Sequence, residues 1–93
     1  MTPEKEAEQG RKAELLLDNP IYKDSIEAVR EAIIAQWQAC PIRDKEGQHE
    51  LKLMLKLLND LTANIRLVAE TGKLAKLQID QSLGRRARNL LNV

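Results

Sequence analysis

Between Leu51 and Gly72 an apolar or small residue recurs at alternating steps of three and four: Leu51, Met54, Leu58, Leu61, Ile65, Val68 and Gly72. Such spacing keeps one stripe of an α-helix apolar for about six turns. A stripe this long and regular calls for a second helix to cover it. The chain is therefore expected to be all-α.

Local signals divide the rest. Thr2 followed by Pro3 is a helix start, with Glu4 and Glu6 suited to the positive end of the dipole. Residues 1–17 form an N-terminal docking segment. Its first half, polar up to Gly10, reads as disordered, and Leu15, Leu16 and Leu17 read as a docking patch. Asn19 caps and Pro20 begins a helix over residues 20–40, which Pro41 stops. Tyr22, Ile26, Val29, Ile33, Trp37 and Cys40 share one face of it, opposite Lys23, Glu27, Arg30 and Glu31.

Asp44 caps a second long helix over residues 45–71, and the short connection makes the two antiparallel. Gly72 admits two readings. It is a left-handed residue that ends the helix, or it stays helical on the seam and permits a close crossing. The break is preferred. A weaker helix then covers residues 73–83, and residues 84–93 form a basic tail. The expected fold is a single domain: an antiparallel hairpin of two long helices, a short N-terminal helix and a C-terminal helix and tail, assembling into a helical bundle.

One partner helix cannot cover every large aliphatic residue. Leu53, Leu57 and Leu67 form a second flank on the long helix, interrupted by Asp60 and Asn64, and Ile34 projects from the polar side of the first. Several exposed aliphatics in one patch call for self-association or for local elements folding back. Homo-oligomerisation is the expectation here, with Asn64 fixing register as single polar residues do in coiled coils.

Chemistry is harder to find. Among 93 residues there is no Phe, and Tyr22 and Trp37 are the only aromatics, so a deep aromatic-lined pocket is hard to build. Cys40 is the only cysteine, which leaves no intramolecular disulfide, and its place at a helix C-terminus on an apolar face suits a small hydrophobe better than a nucleophile. Glu46 and His49 have the Glu-x-x-His spacing of helical metal sites, but Glu27 and Glu31 lie on a polar face and Gly47 weakens the helix there, so a solvated histidine is expected. No Gly-rich phosphate loop and no nucleophile with a base partner occur, so no enzyme activity, cofactor or metal is expected. No signal peptide and no membrane-spanning apolar run are read in the sequence.

The formal net charge of +1 conceals a gradient, from −2 over residues 1–20 to +4 over residues 73–93. Arg85, Arg86 and Arg88 can grip acidic groups bidentately, while Leu90, Leu91 and Val93 favour protein docking over a purely electrostatic arm. Nucleic acid is the alternative ligand, against which stand the absence of interleaved aromatics and of a reading helix. A solvated, dipole-stabilised helix end explains the same arginines without any ligand.

Leu16-Leu17-Asp18-Asn19-Pro20, Trp37, Pro41, Arg43-Asp44, the run from Leu53 to Leu58 and Glu70-Thr71-Gly72-Lys73-Leu74-Ala75 give the stretch from Leu16 to Leu77 a distinctive pattern. In pattern and position it resembles small α-helical proteins encoded by tailed bacteriophages and prophages near head-morphogenesis genes. The resemblance implies a virion or assembly component, made in the host cytoplasm and docked to a larger viral protein such as capsid or portal. A small nucleic-acid-binding accessory protein and a phage-encoded helical oligomer that inhibits a host factor are the alternatives.

Overall fold

The computed structural model describes residues 2–91, which form three α-helices: α1 (Pro3–Asp18), α2 (Pro20–Ala39) and α3 (Lys45–Leu91). Each start is made by a side chain that the sequence announces. The Lys5 amide donates to Thr2 Oγ1 at 3.3 Å. Those of Ile21 and Tyr22 donate to Asn19 Oδ1 at 2.9 and 3.2 Å, with Pro20 at the first helical position, where its missing N–H is not needed. Asp44 accepts from the Gly47 amide at 2.9 Å. Gly47 leaves room for this cap, since an added Cβ would run into the Asp44 carboxylate.

Two expectations about continuity are corrected. Residues 3–10 are helical, so the polar first half of the N-terminal segment is part of α1. Gly72 does not break α3, which is one helix of 47 residues in place of a helix over 45–71, a second over 73–83 and a separate tail. Gly72 has no positive φ, so it is not a left-handed cap. Asn92 and Val93, the end of the expected tail, lie outside the described residues.

Packing divides the chain into two compact units, one joining α1 up to Leu16 with α3 from Ile65 onward and the other spanning Leu17–Asn64. In the first, the long C-terminal helix packs against α1 through small residues. Gly10, Ala13, Ala69, Gly72 and Ala75 are all buried. A Cβ added to Gly10 would lie 2.5 Å from Gly72 Cα, and one added to Gly72 would lie 2.5 Å from Gly10 Cα and 2.9 Å from the Glu6 carbonyl oxygen. The two backbones touch directly. Glycine inside a helix costs about 1 kcal/mol relative to alanine; here it permits a crossing that no other residue allows. Lys73 Nζ reaches Glu14 Oε1 at 3.2 Å beside this contact.

The second unit is built from larger residues, less completely covered. Ile33 is its one buried aliphatic, 5% exposed, while Tyr22, Ile26, Leu51, Leu55 and Leu58 are half-buried. Arg30 ties α2 to α3 by donating to Asn59 Oδ1 at 3.0 Å. The Tyr22 hydroxyl is buried without a hydrogen-bond partner.

The covered stripe of α3 also differs from the expected seam. Leu51, Leu58, Ile65 and Val68 are half-buried and Gly72 is buried, as a seam requires, but Met54 and Leu61 are exposed. Their places are taken by Leu55, half-buried, and Thr62, buried, and Ala69 is buried beside Val68. From Thr62 onward the buried residues of the stripe are the smaller ones, Thr62, Ala69, Gly72 and Ala75, which allow close approach, whereas before it Leu51, Leu55 and Leu58 are half-buried. Thr62 is accommodated by donating its hydroxyl to the Asn59 carbonyl at 2.9 Å within its own helix.

Candidate helix-docking site

The unit spanning residues 17–64 carries an open groove of about 510 Å³. Ile33, Ile34 and Trp37 of α2 and Leu51 and Leu55 of α3 make its apolar floor. Its rim is Lys45, Gln48, His49 and Lys52, all from the first turns of α3, and no acidic residue lines it. Trp37, the only tryptophan, remains 55% exposed there.

Another face of α3 is also apolar and open. Leu53, Met54, Leu57 and Leu61 are exposed, Leu57 by 67%. At 100° per residue these four share an arc of roughly 100° with Glu46 and Glu50, centred roughly 120° from Lys45, His49 and Lys52. The run Lys45-Glu46-Gly47-Gln48-His49-Glu50-Leu51-Lys52 thus sorts its bases to the groove side and its acids to the exposed flank. Among the described residues, Lys45, Glu46, Glu50 and Lys52 make no ion pair within the chain. Asp60, at the edge of the flank, is bridged by Lys56 at 2.6 Å.

Covering one large aliphatic side chain fully contributes about 1.5–3 kcal/mol. Several together reach the range that offsets the loss of freedom on association, about 4–15 kcal/mol. Exposed ion pairs add only about 0–1 kcal/mol each, so on this surface the aliphatics outweigh the charges as a potential source of affinity.

The other residues singled out in the sequence are dispersed. Ile34 lies in the groove, and Leu53 and Leu57 lie on the flank, whereas Leu67 is exposed in the other unit. Leu15 and Leu16 are exposed on α1, but Leu17 is half-buried and falls outside the open patch. Arg85 and Arg88 line one side of α3 with Asp80 and Gly84, while Arg86 lies with Ile79 and Leu83 on another, so the three do not form one cationic fork. Leu90 is exposed, and Leu91 is the last residue of the helix.

Trp37, Met54 and Leu61 are part of the open surface, although their spacing in the sequence places them on an apolar face or seam. Polarity distinguishes them poorly from buried residues. The alternating charges of residues 45–52 were visible in the sequence, but their meaning depends on where the groove lies.

Cys40 is half-buried, its Sγ 3.8 Å from both the Asp44 carbonyl oxygen and Oδ2. Partial burial, then the Asp44 charge and hydrogen bond, raise its thiol pKa above the usual value, which disfavours the reactive thiolate. Among the described residues no three His, Cys, Asp or Glu side chains gather into a metal-holding group, and no helix is long and apolar enough to cross a membrane.

Compared with protein-family models, with curated proteins and with solved structures, the chain matches none.

Proposed function

We propose that this chain is a non-catalytic assembly protein whose helices complete their hydrophobic cover by associating with further copies. In this reading α2 and the first part of α3 act as an antiparallel hairpin, and hairpins from several copies form a bundle. The observation that carries it is the unit spanning residues 17–64, where one aliphatic residue is buried while Trp37, Leu53, Met54, Leu57 and Leu61 stay exposed. The exposed arginines of the last turns of α3 serve a larger acidic partner. The resemblance of residues 16–77 to head-region phage proteins supports a virion component such as capsid or portal for that role.

Light scattering across a concentration series tests the first part. The expected result is a multimer whose mass is insensitive to salt, since aliphatic contacts dominate. A monomer at every concentration overturns the reading. For the partner, co-purification with head proteins is expected to be lost when Arg85, Arg86 and Arg88 become Ala.

A further inference from the structure

We infer that copies of this chain associate heterologously, the flank of Leu53, Met54, Leu57 and Leu61 on one copy seating in the Trp37 groove of the next. The inference rests on the self-association proposed above and assigns its two surfaces. Charge is what selects them. The groove is rimmed by Lys45, His49 and Lys52 without an acid, and Glu46 and Glu50 lie on the flank. With the α3 helices parallel, pairing groove with groove sets lysines against lysines and pairing flank with flank sets glutamates against glutamates; with them antiparallel, a symmetric pair leaves these charges unopposed. Flank to groove is the arrangement that opposes unlike charges.

The register follows from the same residues. The acids and bases that distinguish the two faces lie within residues 45–52, and the groove reaches along α3 to Leu55. Charges and aliphatics therefore both meet only when the two α3 helices run parallel and offset by no more than about a turn. An antiparallel arrangement would carry Glu46 and Glu50 to the far end of the partner's groove. A contact made of two different surfaces does not saturate in a pair. It continues to a ring if the rotation closes and to a filament if it does not.

Each surface can be removed separately. Leu57→Glu disables the flank at a site already 67% exposed, and Ile34→Glu disables the groove. Both variants are expected to keep the wild-type helical circular dichroism and to be monomeric by light scattering. Mixed, they are expected to form a one-to-one dimer, because the Leu57→Glu chain retains a groove and the Ile34→Glu chain retains a flank. Trp37 of the groove-bearing chain reports the event by a blue shift of its emission. Lys52→Glu, a substitution on the rim, provides a second groove variant and is expected to weaken assembly roughly tenfold, with Glu50→Lys in the same chain restoring it.

If the wild type is multimeric but Leu57→Glu still assembles, or if the mixture stays monomeric, the flank-to-groove assignment is overturned while self-association stands. A symmetric interface gives that pattern. If the wild type is monomeric throughout, the assignment falls together with the reading on which it rests.

Discussion

The two units of this chain solve the same problem, holding one helix against another, with opposite materials. The unit of α1 and the C-terminal part of α3 uses glycine and alanine, and Ala75 is only 2% exposed. It brings two backbones into contact and buries what little side chain it has. The unit of α2 and the N-terminal part of α3 uses Ile, Leu, Tyr and Trp. Much of the surface of these bulky residues remains open. Small residues therefore make a finished contact, and large ones make an unfinished contact that still has surface to offer. Hydrophobicity alone would rank the two in the reverse order.

The sharpest way to break this contrast is Gly72→Leu. A branched side chain at a backbone-to-backbone contact forces α1 away, with an expected loss of about 3 kcal/mol. Hydrogen exchange should show the amides of α1 unprotected while Trp37 emission stays unchanged. Leu58→Ala probes the other unit. Because Leu58 is only half-buried, the expected loss is about 2 kcal/mol, the low end for leucine truncation, seen as a lower urea midpoint. Gly10→Ala should cost about 1–2 kcal/mol, since the gain in helix propensity offsets part of the clash. An increase in stability would mean that the crossing has room for a methyl group at Gly10.

Tyr22→Phe has the opposite sign. It removes a buried hydroxyl that has no partner, and the thermal midpoint should rise by the equivalent of about 1 kcal/mol. Asp44→Asn should leave stability nearly unchanged because asparagine caps equally well. Removing the negative charge beside Cys40 lowers the thiol pKa, so alkylation at fixed pH should become faster.

What could be read in advance follows the range of the interaction. Thr2-Pro3, Asn19-Pro20 and Asp44 act on amides two or three residues away, and their helix starts are legible from the residues themselves. Gly10 and Gly72 are 62 positions apart in the chain. Each looks like a local weakness, one within a polar stretch and one as a helix end, until the other is placed against it. The stripe of α3 shows the same limit. Leu51, Leu58, Ile65 and Gly72 belong to the seam on either reading, but the choice between Met54 and Leu55, or Leu61 and Thr62, depends on the width of the neighbouring helix. The exposure of Ile34, Leu53 and Leu57 was legible because they break the amphipathic pattern. Trp37 was not, because it fits that pattern.

The Gly10–Gly72 crossing also limits how the sequence can change. In most packed contacts an enlargement on one side is accommodated by a reduction on the other, so pairs of positions drift together. Here both sides are already the smallest residue there is. Every coding change at either glycine codon introduces a Cβ, and no second substitution opposite it can make room. A saturation scan should find these two positions intolerant both singly and in every combination, while the open flank of α3 accepts a wide range of residues when folding alone is scored.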